Sequence, residues 1–497
     1  MRQGLIIAGF ASCVVAIAGC KSSDNGSTGP GGPSGYPANI AKVSGDGQSG
    51  VFESPVPQPL VVEVTDSSGH PVIDASVAWA IYLTGAPELL QVSATNSSGQ
   101  TQLSPVLGGR PGAFSVVAAI NSKAVTFTGT SNVGLAAGLQ SFTTNLFAKC
   151  ALSAQGDAFC WGTGIYGQLG PGVTGPVTGP VPIPGGHTFS QISGGGGLDC
   201  GLTAAGAMYC WGNAYYPQFG NGPPSTGTFP TPIAAGNGKT FSLISVGYAH
   251  VCGISAGVAY CWGFGRQGAL GTGDTTTRNV PTAVQVPAGV AFTSLAAGNS
   301  FTCGLTSAGV AYCWGQNAAG ELGGGSSSPA VALAPSLVTG GHTFSTLAVS
   351  LAAVCGLASG GIVYCWGQGA NGNGTTAIEY SPMPITQGSV TFTQLSATGG
   401  LGAICALTAA GAAYCWGDNE FGEVGSGSFA TSGTTPVLVT GGHVFSVIVP
   451  GPLATCGYTT TQVMYCWGAN KSGELGLPPD ADTMYAVPQP VPGLGTP

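Results

Sequence analysis

Cysteine, tryptophan and a handful of acids recur at fixed spacing along this 497-residue chain. Cys-Trp-Gly triplets begin at Cys160, Cys210, Cys261, Cys313, Cys365, Cys415 and Cys466, spaced 50, 51, 52, 52, 50 and 51 residues apart. Each triplet follows an earlier cysteine, at Cys150, Cys200, Cys252, Cys303, Cys355, Cys405 and Cys456. Thiols in this number serve as metal ligands or as disulfides. A metal site needs Cys-x-x-Cys pairs or clustered histidines, and the sequence has neither, so no metal and no cofactor is expected. Hydrolysis by paired acids needs carboxylates that converge. Asp157, Asp199, Asp274, Glu321, Glu379, Asp418, Glu420, Glu423 and Glu474 are scattered instead. With no nucleophile motif or phosphate loop either, no catalytic residue is assigned and the chain is not read as an enzyme.

The elements that position these residues follow from the period. A repeat near fifty residues means one supersecondary unit copied in series. In Cys303–Cys313 nine residues separate the cysteines, and Ser307-Ala308-Gly309 makes a natural three-residue turn. Glycine stands third, where a type I turn with a G1 bulge needs positive φ. That register sets the two cysteines opposite each other on adjacent antiparallel strands, within disulfide reach. In the third repeat only eight residues intervene, and a two-residue turn at Ala256-Gly257 preserves the pairing. In the fifth the turn is read at Ala358-Ser359-Gly360. In the seventh Gln462 stands where glycine is expected, which implies a strained turn. The pairs are therefore 150–160, 200–210, 252–261, 303–313, 355–365, 405–415 and 456–466. Each closes a loop of about eleven residues, worth at most about 2–3 kcal/mol in the chain-entropy model.

Period-two alternation puts Cys313 on one face and Tyr312 and Trp314 on the other. Both faces carry apolar bulk, as in a sheet packed between two like sheets. The tryptophans read as packing between sheets rather than as a carbohydrate platform. Glu321, Glu423 and Glu474 share one repeat position and read as loop stabilisers. His187, His342 and His443 share another and read as turn residues, and His250 reads as a packed histidine.

A Trp-Gly run ending in Gly-[Gln/Glu]-Leu-Gly recurs in part or whole at Gly162–Gly170, Gly263–Gly271, Gly315–Gly323, Gly417–Gly425 and Gly468–Gly476. With the upstream Cys-[Ala/Gly]-Leu segment, this resembles RCC1 repeats, most closely cysteine-bearing bacterial ones. The resemblance implies a seven-bladed β-propeller over residues 133–497. The second copy, with Pro217 and Phe219, and the fifth, which lacks Leu-Gly after Gly372, imply irregular blades. Each full copy carries a Pro-Val segment, such as Pro180-Val181-Pro182-Ile183, ahead of its phenylalanine strand. The first copy lacks one, so the tail Val487–Pro492 is expected to complete the first blade and close the ring. The eukaryotic exchange-factor role of RCC1 is not carried over, because no exchange-loop motif is present.

The N-terminus differs in kind. Arg2 and the apolar run Leu5–Ala18 form a secretory signal, too short for a confident membrane span. Ile17-Ala18-Gly19-Cys20 resembles a bacterial lipobox, which implies signal removal over residues 1–20 and a lipid on Cys20. By resemblance to enterobacterial sorting rules, Lys21 argues for the outer membrane. Residues 21–35 are a Gly/Ser/Pro tether with an end-to-end distance of about 20 Å. Residues 36–132 read as some seven short strands with turns at Asp66-Ser67-Ser68-Gly69 and Asn96-Ser97-Ser98-Gly99. They resemble bacterial Ig-like domains of the invasin and intimin type. Trp79 reads as core there and His70 as solvated.

The fold class is thus all-β, an Ig-like sandwich followed by a propeller. Charged residues make up only 6%, and the net charge is −8 with ten Lys plus Arg. That composition excludes a basic stripe for nucleic acid. Paired cysteines behind an export signal imply an oxidising compartment. The expectation is a monomeric, lipid-anchored envelope protein, surface-exposed or periplasm-facing, whose propeller serves binding or adhesion to a protein or glycan. The alternatives are an enzyme inhibitor, as in a secreted β-lactamase-inhibitory propeller of this family, and, against the scattered acids, a propeller hydrolase. Specificity is expected in the unequal loops Thr272–Val280 and Gly324–Ala334.

Overall fold

A computed structural model describes residues 35–494, apart from 52–54, 84–85, 107–111, 133–138, 172, 174, 223–225, 370, 399–401, 430–431, 480–483 and 493. The signal segment with Cys20 and nearly all of the tether lie outside the described residues. The chain divides into two compact units, Met1–Gly134 and Leu135–Pro497.

The first unit is a β-sandwich. Strands Asn39–Ser44, Leu60–Thr65 and Gln100–Leu103 form a three-stranded sheet; Gln48–Val51, Lys123–Asn132, Gly112–Ile120, Ser76–Leu83 and Ala86–Ala94 form a five-stranded one. Leu60, Val62 and Val64 alternate inward, as period two requires. They meet Trp79, Ile81, Phe114, Val116 and Phe127 from the facing sheet. The Trp79 indole is fully buried and donates to Ser93 Oγ at 2.8 Å. The two expected turns share one device: the Asp66 carboxylate accepts the backbone N–H groups of Ser68 and His70, and the Asn96 amide oxygen those of Ser98 and Gln100. His70 itself is exposed.

The second unit contains seven four-stranded antiparallel sheets, one per repeat. The fourth is representative: Phe292–Ala297, Phe301–Thr306, Ala311–Gln316 and Val331–Leu337 follow one another as a meander. Cys303 lies opposite Cys313. Gly309 closes the turn with φ +77° and donates its N–H to the Thr306 carbonyl at 2.9 Å. In the third repeat Ala256 and Gly257 both take positive φ, and Cys252 still faces Cys261. In the fifth the turn falls one residue later than expected. Ala358 remains in the strand and bonds to Ile362, because Gly360 and Gly361 both take positive φ.

In the fourth sheet the phenylalanine that opens the first strand needs space on the neighbouring second strand. Gly304 supplies it: a Cβ there would lie 2.7 Å from the Phe292 ring. Phe292 then stacks on Trp314 at 5.6 Å. The disulfide of one sheet shares a core with the phenylalanine and tryptophan of the next. Cys200 and Cys210 cluster with Phe241 and Trp262, and Cys405 and Cys415 with Phe445 and Trp467.

One expectation is overturned. The tail does not complete the first sheet. Strand Met484–Pro490 pairs with Met464–Ala469 as the outer strand of the seventh sheet. The first sheet has its own four strands, Leu139–Thr144, Ala148–Ser153, Ala158–Thr163 and Pro176–Pro182. Each Pro-Val segment folds back on the Cys-Trp-Gly strand before it, so that Val181 faces Cys160. Proline belongs there, since an outer strand leaves one row of N–H groups unused. Closure is by packing of the first strands: Thr144 Oγ1 in the first sheet donates to the Pro450 carbonyl in the seventh at 2.9 Å.

Candidate functional site

The recurring chemistry-bearing residues form the scaffold. All fourteen repeat cysteines are fully buried and joined as seven disulfides, 150–160, 200–210, 252–261, 303–313, 355–365, 405–415 and 456–466, each with Cα atoms 4.1 Å apart. The seven triplet tryptophans are fully buried too. The recurring glutamates hold their own loops: Glu321, Glu423 and Glu474 accept the backbone N–H groups of Ala319, Phe421 and Ser472 at 2.8, 2.9 and 2.7 Å. Burial raises the Glu321 carboxyl above its usual range and pushes Glu423 up to about 7. A partner missed in the sequence completes each loop. Asn317, Asn419 and Asn470 accept from the backbone of Leu322, Val424 and Leu475 through the amide oxygen. Among the described residues no group of three or more His, Cys, Asp or Glu is placed to hold a metal ion.

The recurring histidines stack on tyrosines of the third strand. His187 lies 3.8 Å from Tyr209, His342 4.0 Å from Tyr364 and His443 4.0 Å from Tyr465, centroid to centroid. His250 is buried, its Nε2 2.8 Å from Thr302 Oγ1, and desolvation drives its pKa down to about 4. The variable loop at Thr272–Val280 leads into the outer strand Arg278–Ala283, with Arg278 paired to Asp274 at 2.6 Å.

The residues that converge lie elsewhere, at one end of the ring axis. In an antiparallel meander the turn after the first strand and the loop after the third emerge at the same end. Those turns line a cavity of about 300 Å³ to which all seven sheets contribute. Asn145, Tyr248 and Asn299 bring polar groups, and Leu146, Leu351 and Pro452 apolar wall. The second sheet brings only Gly194, Gly195 and Gly196. The turn of the third sheet passes so close that a Cβ on Gly196 would lie 2.3 Å from the Tyr248 carbonyl. Neighbouring turns are tied together, Leu146 N–H to the Gly196 carbonyl and Tyr248 N–H to that of Gly298, both 3.2 Å.

Aromatic rings pair in the turns and loops at this same end of the first three sheets. Phe147 lies 4.7 Å from Tyr166, Tyr166 6.3 Å from Tyr215, and Tyr216 4.4 Å from Phe264. Tyr215 and Tyr248 are 55% and 46% exposed, unlike the scaffold aromatics. Burial raises the Tyr215 phenol above its usual range, with further contributions from a hydrogen bond to the Tyr166 side chain and the proximity of Tyr248. The fourth sheet has Ala318 and Ala319 at the corresponding loop positions. The signal in the sequence was the departure of the second copy, Tyr215-Tyr216-Pro217, from its sisters.

Behind this wall sits a buried polar group. Asn145 Nδ2 donates to Asp199 Oδ2 at 2.6 Å, while its amide oxygen accepts from the backbone of Phe147 and Ala148. Burial pushes Asp199 up to about 7 and Lys149 down to about 8, the latter opposed by the charges of Glu474 and Asp199. Lys149 and Asp199 occupy a position that is valine, threonine or isoleucine in the other five repeats.

Comparison with known proteins agrees with this architecture. The family model described as the regulator of chromosome condensation (RCC1) repeat matches residues 205–254 and 256–305, and a second model of that description matches 292–321. The ultraviolet-B receptor UVR8 of Arabidopsis thaliana is 29% identical over 260 residues, covering 50% of this chain and 58% of the receptor. The E3 ubiquitin-protein ligase HERC2 of Homo sapiens is 28% identical over 262 residues, covering 49% of this chain and 5% of the ligase. The chain thus spans less than two thirds of the length of these relatives. The crystal structure of human WBSCR16 aligns with a TM-score of 0.56 at 19% identity, covering 63% of this chain and 84% of that one. That likeness concerns the fold alone.

Proposed function

We propose that this chain, an RCC1-like repeat protein, is an exported binding protein of a bacterial cell envelope. In this reading Cys20 carries the lipid that holds it to the outer membrane, and the N-terminal sandwich is an Ig-like stalk. The ring of seven sheets is an interaction platform. It acts without a cofactor or nucleic acid, as a monomer. The observation that carries the binding role is the contrast in aromatic exposure. Tryptophans at repeated positions are sealed inside the ring, whereas at positions that do not repeat Tyr248 stands half exposed in the wall of the axial cavity and Tyr215 half exposed in a loop at the same end of its sheet. Exposed aromatics beside a pocket favour binding, because they offer large contact area at little cost in side-chain entropy. The ring is stiffened by seven disulfides, so such a surface is preorganised.

A photo-crosslinking residue at position 215, in the full chain expressed in its own envelope, tests this. Discrete adducts with an envelope component are expected from that position and not from Val258, which opens the third strand of its sheet beside the turn at Ala256-Gly257, at the opposite rim. Equal labelling from both positions, or none from 215, overturns the reading.

A further inference from the structure

We propose that the axial cavity binds the end of a neutral glycan chain, stacked against Tyr248 and hydrogen-bonded through Asn299. The inference rests on the binding role above and names its ligand. At about 300 Å³ the cavity sits at the lower limit of small-molecule pockets, which span roughly 300–1,000 Å³. None of its described lining residues is Lys, Arg, Asp, Glu or His. Asp199 and Lys149, the ionisable side chains that bond to Asn145, are fully buried, and Asn145 spends both ends of its amide on Asp199 and the backbone. An anionic or cationic ligand would find no counter-charge there, whereas a neutral one brings no charge to desolvate and needs only partners for its hydroxyls.

What the cavity does offer is an aromatic face, a hydroxyl and a spare amide. Tyr248 is half exposed, and its backbone is fixed by the bond from its N–H to the Gly298 carbonyl, one residue before Asn299. That bond sets the two residues side by side on adjacent sheets. Asn299 is only partly buried, and its amide has no partner among the described residues, so two donors and an acceptor remain available. A pyranose has an apolar C–H face and a rim of hydroxyls. Tyrosine matches the first by packing, and asparagine matches the second by pairing as donor and acceptor at once. Tyr215, 55% exposed in the loop after the third strand of the second sheet, would offer an aromatic face to a second sugar unit.

The ring geometry adds directional selectivity. All seven sheets contribute lining residues to this small cavity, which therefore suits a chain terminus rather than the middle of a polymer.

The test uses the full chain with its disulfides intact, titrated calorimetrically with cellohexaose, maltoheptaose, chitohexaose and mannohexaose, with heparin as the charged comparison. At least one neutral oligosaccharide is expected to bind, and its cyclic form, where one exists, is not. Tyr248→Ala and Asn299→Ala should each weaken binding about tenfold or more, while Tyr248→Phe keeps most of it. Circular dichroism and a disulfide count by mass spectrometry verify that each variant folds. Binding that survives both alanine variants overturns the proposal, as does binding of heparin alone or of no glycan at all. If position 215 crosslinks a protein while every oligosaccharide fails, the glycan inference falls and the binding role stands.

Discussion

The indole Nε1 of Trp314 donates a 3.0 Å hydrogen bond to the carbonyl of Ala269, one repeat earlier in the chain. The same bond links Trp262 to Gln218, Trp366 to Glu321 and Trp467 to Glu423. In each case the acceptor is the residue just before the Leu-Gly, Phe-Gly or Val-Gly step of the preceding loop. The tryptophan therefore joins two sheets, and the loop glutamate or glutamine holds its own loop in shape for that contact.

Ala269 has a second donor, Thr302 Oγ1 at 2.9 Å. Trp314→Phe and Thr302→Val each leave the carbonyl one partner, and each is expected to cost about 1–2 kcal/mol. The double variant strands a buried carbonyl. It should cost more than the sum by on the order of 1 kcal/mol. Urea unfolding of the four proteins measures the coupling, and strict additivity would refute the shared-acceptor account.

The disulfides lend themselves to a second experiment. Every one of the fourteen sulfurs belongs to a fully buried residue. A reductant reaches them only when a sheet opens. Native chain held in dithiothreitol should therefore keep all seven bonds by mass spectrometry, and lose them once denaturant is added. Removing one pair, Cys303→Ala with Cys313→Ala, should cost about 2–3 kcal/mol. Stepwise reduction without denaturant would show that the cores between sheets are looser than the burial implies.

Period, hairpin register and glycine turns could be read from the residues because they are local. Cys303 and Cys313 are ten apart, and Gly309 sits between them. Phase was harder. A repeat can be cut anywhere, so the sequence did not say whether Val181 belongs with the strand before it or the one after, and the tail was assigned to the wrong sheet. Contacts between sheets were harder still. His187 read as a turn residue, and nothing nearby in sequence announces Tyr209 as its partner at 3.8 Å. The axial cavity draws one to three residues from each of seven sheets, and its aromatic residue Tyr248 lies where the copies disagree. Periodicity points toward scaffold, and therefore away from such a site.

The turn at Gln462 gives a third prediction. Gln462 holds φ +66°, at the loop position where Gly309 holds +77°. A left-handed conformation costs a non-glycine residue roughly 1–2 kcal/mol, and a new glycine gives back some of this through unfolded-chain entropy. Gln462→Gly should stabilise the chain by about 0.5–1 kcal/mol. Gly309→Gln should do the reverse and more, because a Cβ there would lie 2.8 Å from the Phe344 carbonyl. A Gln462→Gly protein less stable than its parent would mean that the glutamine side chain makes up for its backbone strain.

His250 supplies the last prediction, on acid stability. It is buried, bonded to Thr302, and kept neutral by desolvation, with a pKa of about 4 against the usual 6.5. A depressed folded-state value means that the unfolded chain takes up the proton first. The stabilisation is complete above about pH 6.5 and is lost as the pH falls toward 4, on the order of 3 kcal/mol in all. Asp199 and Glu423 act in the opposite sense. Burial raises both to about 7, so their contribution is greatest below the ordinary carboxylate range and is lost as the pH rises toward 7. The wild-type profile is the sum of these trends and can look flat. His250→Leu separates them, since the second repeat already carries Leu198 at this position. The variant should lose about 1 kcal/mol near pH 7 with the bond to Thr302. It should then close that gap and overtake the wild type as the pH is lowered to about 4.5. Parallel unfolding curves for the two proteins between those limits would show that His250 is protonated in the folded state and that its burial costs nothing.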